Sequence, residues 1–330
     1  MADYLYGSAH VRALENAIVG RDRILRMAQS KSVEDAYALL SEAGIPLVRN
    51  GEGRICREET LLSILKRAYE TVVALVPDSG AIRLWLYPYD CNNVKATIKA
   101  FIRGIDPDSM TFDFGTVPVG AIAEMVKKGS FYGLPTAMLK AAHDAVSAYA
   151  KTKNPQQIDL ILDRACYADM LREATASGNE FVLRLVRARI DLINVSIAIR
   201  ILRMRCGDAG VALLTESMLY GGEIDREVLI AHFGKGEASL LSYLHSTSYG
   251  RFADAFLASD GATSSLDRVA DDFLMEIVKE TKFIPIGLEV MVAFLLAHEY
   301  EVKNLRIVLA GKEAALAASI IQERIRESYV

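Results

Sequence analysis

A chain of 330 residues with 52% hydrophobic content has ample material for a large core and exceeds the usual size of one simple domain. Its formal charge of −4 and pI near 5.8 carry none of the basic bias of a phosphate-backbone binder, so no nucleic-acid partner is expected. Charged residues at 24% and aromatics at 8% describe a folded chain, not a disordered one.

The predicted elements are almost all helices. "SVEDAYALLSEAG" (32–44) opens with a candidate N-cap Ser and closes at a Gly. "REETLLSILKRAYETVVALV" (57–76) places Leu61, Leu62, Leu65, Tyr69, Val72 and Val73 on a helical stripe. Next come "YDCNNVKATIKAFIRG" (89–104), "PVGAIAEMVKKG" (118–129) and "PTAMLKAAHDAVSAYAK" (135–151), the last two opening on Pro118 and Pro135. "LILDRACYADML" (160–171) leads to "NEFVLRLVRARIDLINVSIAIRILRMR" (179–205). "REVLIAHFG" (226–234), "SSLDRVADDFLMEIVKET" (264–281), "IPIGLEVMVAFLLAHEY" (284–300), "YEVKNLRIVLAG" (300–311) and "KEAALAASIIQERIRESY" (312–329) complete the series. Alternating strand patterns are nearly absent, and an all-α fold is predicted.

The oiliest stretch, 284–300, carries Glu289 and Glu299 and falls short of the ~20 clean apolar residues of a membrane span. The N-terminal "MADYLYGSAHVRALE" has no basic region followed by an apolar one, as a signal peptide would. A cytoplasmic protein with no direct membrane span is expected. Its mean hydropathy of +0.19 points to surface buried against partners as well as in the core. Cys56, Cys91, Cys166 and Cys206 form no CxxC pair and read as buried reduced thiols.

The chain repeats. Asp90 and Asn93, Asp191 and Asn194, and Glu301 and Asn304 each form an acid-x-x-Asn motif, followed by mixed apolar and basic residues and a Gly. The acids lie about one third of the chain apart, too long a period for a short solenoid. Three similar multi-helix modules are expected, at 1–110, 111–215 and 216–330. The segments 160–171 and 264–275 share Leu-Asp-Arg and a following carboxylate upstream of the second and third motifs, and "VEDAYALLSEAG", 118–129 and 226–236 lie further upstream.

Acid and Asn three residues apart share one helix face. In the second copy Ile190, Ile193, Ile197, Ile201 and Met204 form one apolar stripe, and Leu192, Val195, Ile199 and Leu202 another. A polar pair on such a helix must be hydrogen-bonded. It either ties the helix to a neighbouring helix or loop, or forms a partner-facing patch repeated around a pseudo-threefold axis. The bases that follow, among them Lys95, Lys99, Arg103, Arg200, Arg203, Arg205 and Arg306, are either salt-bridge partners on solvated faces or interface residues.

Catalytic signatures fail. "GKGEAS" (234–239) and "AGKEAA" (310–315) lack P-loop spacing, "GEGRIC" (51–56) reads as a turn, and "HEYEV" (298–302) is not HExxH. His10, His143, His232 and His245 are scattered, and no GxSxG appears. No catalytic residue, cofactor or metal site is expected. A freestanding helical scaffold with an unrelated partner remains an alternative, as does a helical enzyme with an acidic metal site built from Asp163, Asp169 and Asp191.

Three helical modules with acid-x-x-Asn helices, and above all "YDCNNVKATIKAFIRG", "RIDLINVSIAIRILR" and "DRACYADMLREATASGNEFV", resemble the C subunit of the bacterial and archaeal V-type (A-type) ATPases, the counterpart of the eukaryotic d subunit. The resemblance covers essentially the whole chain. The first copy departs in Pro88 and Asn92, the third in Glu301 and a shorter basic run. It implies a funnel of three modules about a pseudo-threefold axis. It also implies a non-catalytic rotor part, peripheral to the membrane, that couples central stalk subunits to the membrane rotor ring of small ion-binding subunits. Torque would serve H⁺ or Na⁺ transport, or ATP synthesis in reverse.

Overall fold

The computed structural model describes residues 4–207, 209–259 and 261–330. Met1–Asp3, the start of the stretch read above for a signal peptide, lie outside the described residues. The fold is all-α. Among the described residues the only extended pairings are isolated bridges between Arg49 and Ile55 and between Tyr132 and Leu134. The first bridge closes the turn that "GEGRIC" predicts.

In chain order the helices are α1 (Leu5–Leu14), α2 (Arg21–Gln29), α3 (Val33–Glu42), α4 (Arg57–Leu75), α5 (Gly80–Arg83), α6 (Tyr87–Arg103), α7 (Val119–Lys128), α8 (Thr136–Thr152) and α9 (Gln156–Ala176). They continue with α10 (Glu180–Met204), α11 (Ala209–Ser217), α12 (Arg226–Gly234), α13 (Glu237–His245), α14 (Gly250–Ala258), α15 (Leu266–Lys279), α16 (Leu288–Glu313) and α17 (Ala318–Gln322). The predicted starts have physical causes. Ser32 and Asp35 form a reciprocal capping box on α3, Asn179 accepts from Val182 N at the start of α10, and Pro118 and Pro135 stand at the N-caps of α7 and α8.

Two compact units form. One comprises the described residues of Met1–Asp78 with Gly250–Val330, the other Ser79–Tyr249. The first is organised on α16, 26 residues long, on which α4 and α1 pack. Val290, Met291, Val292, Ala293 and Leu295 on it are all fully buried. Apolar burial on every side is why no amphipathic stripe marks it. The second unit is organised on α9 and α10, with α6 and α8 against α9. Burial of side chains such as Ile190, Val195 and Ile199 supplies about 1.5–3 kcal/mol each before entropy is charged.

Packing corrects several patterns. On α4 the buried face includes Ile64 and Ala68, whereas Leu62 is half-buried and Val73 exposed. On α10, Ile193, Ile197 and Leu202 are half-buried and Met204 is exposed where the helix frays into its left-handed cap. The predicted helix over 312–329 is mostly absent: α16 ends at Glu313, α17 is one short helix of five residues, and the rest is turns and an irregular tail. Nor does α16 stop at Gly311. Its bare backbone faces Ile321 there, and a Cβ would lie 2.7 Å from Ile321 Cγ1. Of the four free thiols only Cys91 and Cys166 are buried, Cys56 and Cys206 being half-buried. Among the described residues no helix is long and apolar enough to cross a membrane.

Candidate functional site

All six motif residues, Asp90, Asn93, Asp191, Asn194, Glu301 and Asn304, are buried. Each pair reaches from its helix to the backbone of a loop, in one shared pattern.

The asparagine pairs with a whole peptide unit. Asn93 Nδ2 donates to Phe112 O (2.8 Å) while its Oδ1 accepts from Phe112 N (2.9 Å). Asn194 does the same with Leu219 (3.1 and 2.7 Å), and Asn304 with Arg326 (3.0 and 2.8 Å). A side-chain amide matches a backbone amide in donor and acceptor, so the loop is held as a sheet neighbour would hold it.

The acid accepts from backbone N–H groups just beyond. Asp90 accepts from Thr116 N (2.9 Å) and Val117 N (3.1 Å). Asp191 accepts from Glu223 N (2.7 Å) and Ile224 N (3.2 Å). Glu301 accepts from Val19 N (2.6 Å). A side chain completes each site: Thr116 Oγ1 on Asp90 (2.6 Å), Tyr249 Oη on Asp191 (2.7 Å) and His298 Nδ1 on Glu301 (2.6 Å).

The register is common to the three. The asparagine-bound residue precedes the last acid-bound amide by five in the first two copies, Phe112 to Val117 and Leu219 to Ile224. That amide lies two residues before the next helix in all three: Val117 before α7, Ile224 before α12 and Val19 before α2. The counterpart of α7 and α12 is therefore α2, not the segment at 33–44 singled out from its caps. The third loop is assembled from two segments far apart in sequence, the tail at Arg326 and the stretch at Val19, and Arg21 N donates to Val330 O across the join (3.4 Å). Glutamate, one methylene longer than aspartate, spans to this second segment.

Burial pushes the Asp90 and Asp191 carboxyls above the ordinary range, opposed by the Thr116 and Tyr249 hydroxyls and the loop N–H groups. Burial, then the facing Asp191, raises the Tyr249 phenol, which therefore stays a donor. Glycines make room for the first two carboxylates: a Cβ built on Gly115 or on Gly222 would overlap Asp90 or Asp191. Motif spacing gave no sign of Gly115, Thr116, Gly222, Tyr249 or His298. The short segments "FGTVP" and "GGEID", each with glycine before a helix start, carried the only signal.

The candidate bases mostly pair with acids. Lys99 meets Asp159 (2.6 Å), Arg203 grips Glu237 with two nitrogens (2.9 and 2.6 Å), and Arg306 meets Glu58 (2.9 Å). Arg200 is half-buried, and Arg103 and Arg205 are exposed at helix ends. Asp163, Asp169 and Asp191 do not converge. Asp163 pairs with Lys95 (2.7 Å), and Asp169 accepts from Ala137 N and Met138 N at the start of α8 (both 2.9 Å). Among the described residues no group of three potential metal ligands forms.

Buried helices are thus braced to loop backbones at three places built on one pattern. The sequence model of the ATP synthase (C/AC39) subunit family matches residues 8–324. The chain belongs to that family, whose members are accessory, not catalytic, subunits. Similar proteins include the C subunit of the V-type sodium ATPase of Enterococcus hirae, 24% identical with 97% of each chain covered. The C subunit of the A-type ATP synthase of Methanocaldococcus jannaschii is 24% identical, with 94% of this chain and 83% of the relative covered. That of Thermococcus kodakarensis is 23% identical, with 98% and 90% covered.

Proposed function

We propose that the chain is a non-catalytic rotor subunit of a rotary ATPase, seated between the central stalk and the membrane rotor ring. It transmits torque for transport of H⁺ or Na⁺ coupled to ATP, from the cytoplasmic face. The observation that carries this reading is the whole-length family match, with relatives named as the C subunits of V-type and A-type enzymes. The common latch register supports three similar modules, for which we propose an arrangement about a pseudo-threefold axis in a funnel. The expected boundaries at 110/111 and 215/216 fall just before the latch loops that begin at Phe112 and Leu219. A torque adaptor needs stiffness, and buried carboxylates and amides fixed to loop backbones supply it.

The test is coupling. In vesicles from host membranes lacking this chain, ATP hydrolysis by the catalytic head should persist while ATP-driven ion uptake is lost, and purified chain should restore uptake. Ion uptake unaffected by its removal would refute the reading.

A further inference from the structure

The side chains that complete the three latches are not alike. Thr116 Oγ1 and Tyr249 Oη each spend their one oxygen, on Asp90 (2.6 Å) and on Asp191 (2.7 Å). His298 spends only Nδ1, on Glu301 Oε2 (2.6 Å), and keeps a second ring nitrogen. Its side chain is 12% exposed. Nε2 makes no hydrogen bond among the described residues, yet it is not one of the polar atoms sealed off from solvent. It therefore opens onto the space that the ring borders, a cavity of about 130 Å³.

The cavity lies within the unit that joins the early and late segments. Helix α4 supplies Ile64 and Ala68, α16 supplies Phe294 and His298, and Leu14 and Ile45 add further apolar wall. The other polar groups at the wall are committed elsewhere. Ser63 and Thr71 donate within α4, to Thr60 O (2.7 Å) and Arg67 O (2.8 Å). The N–H groups of Ala43, Gly44 and Ile45 donate to carbonyls of the turn that ends α3. Arg67 lines the cavity too, but it is exposed. An apolar space with one inward polar atom defines its ligand. A cavity of about 150 Å³ takes one benzene-sized ring. Phe294 stands edge-on to His298, with ring centres 4.6 Å apart at 84°, and a further aromatic ring packs well against such a wall. The buried Glu301 carboxylate behind the imidazole disfavours an anion. With the Nδ1 proton on Glu301, the neutral imidazole presents a lone pair at Nε2, which calls for a hydroxyl donor.

We propose that this cavity binds a small uncharged aromatic molecule of the phenol class, its ring among the apolar walls and its O–H donated to His298 Nε2. The ligand reaches the third latch through the imidazole, from Nε2 to Nδ1, then to Glu301 and to Val19 N (2.6 Å). The first two latches have no such second face. The site does not depend on the rotor reading.

The experiment titrates the purified full-length chain with phenol, with toluene and with benzoate, by calorimetry and by thermal melting, and follows hydrogen exchange at Val19 N–H. Phenol should bind saturably at a single site with Kd on the order of 1 mM or tighter, and should raise the Tm. Toluene, of the same size without the hydroxyl, should bind at least about fivefold more weakly, and benzoate more weakly still. Val19 N–H should exchange more slowly with phenol bound. Ser63→Leu fills the cavity from α4 and should abolish binding of phenol and toluene alike. His298→Asn keeps an amide N–H where Nδ1 stands and removes Nε2, so the latch should persist while the preference for phenol over toluene is lost. Absence of saturable phenol binding up to about 10 mM would overturn the proposal. So would toluene or benzoate binding as tightly as phenol, phenol binding unchanged in Ser63→Leu, a preference that survives His298→Asn, or exchange at Val19 that phenol leaves unchanged.

Discussion

At the residue scale, the carboxylate in the middle of the oily helix α10 is explained by what it holds. Asp191 satisfies two loop N–H groups and a phenol that would otherwise be buried donors without acceptors. Asp191→Ala should therefore cost about 3–5 kcal/mol, measurable by denaturant unfolding, since it strands all three. Tyr249→Phe removes one hydroxyl and should cost about 1 kcal/mol. Neither should change ATP hydrolysis by the isolated catalytic head, and a clear loss there would contradict the latch role. The acids divide by sign of pH dependence. Burial raises Asp90 and Asp191, so their ionisation-linked contribution is full below the ordinary carboxylate range and declines as pH rises through the raised folded values. Asp271 is the reverse. Burial alone would raise it, but Lys303 (2.8 Å) and Arg326 (3.0 Å) outweigh that and hold it below its ordinary value. Its contribution is present above the ordinary pKa of about 3.9 and is lost as pH falls through the lower folded value. Asp271→Asn should thus destabilise at neutral pH, by a margin that shrinks as unfolding is measured at progressively lower pH below about 4. A margin that is constant with pH would contradict this.

At the element scale, each latch fixes the loop that leads into the next helix. Gly222→Ala forces a methyl onto the Asp191 carboxylate and should destabilise by more than the ~1 kcal/mol typical of a point change. The same change at Gly221 meets the flexible Leu171 side chain in place of the carboxylate, and separates loop strain from latch loss. Helices with caps and prolines were legible in the sequence, as α3, α7, α8 and α10 show. So was the acid-x-x-Asn repeat, because helix geometry puts its two side chains on one face. The loop-backbone partners were not, since they lie 19 to 33 residues away in loops without periodicity, or in the third copy 282 residues away at Val19, and Tyr249 lies 58 residues from Asp191. Helices α1, α2, α5, α11, α13 and α14 escaped because they are short and take their order from tertiary packing, not from a long apolar stripe. The tail after α17 read as helix from its composition, yet Asn304 and Asp272 hold its backbone at Arg326 and Glu327 in place of helical partners.

At the scale of the whole molecule, two compact units contain three latches built to one plan, two in the central unit and one in the unit that joins the chain's early and late segments. Membership of the ATP synthase (C/AC39) subunit family supplies the context in which such a braced helical body has work to do. The central claim is that it bridges stalk and ring. The most direct measurement is to tag the chain in its host, solubilise membranes in mild detergent, cross-link, and identify its neighbours by mass spectrometry. The account predicts cross-links both to a small, very apolar ring protein and to stalk subunits in the same preparation. Recovery of the chain free of both would contradict it.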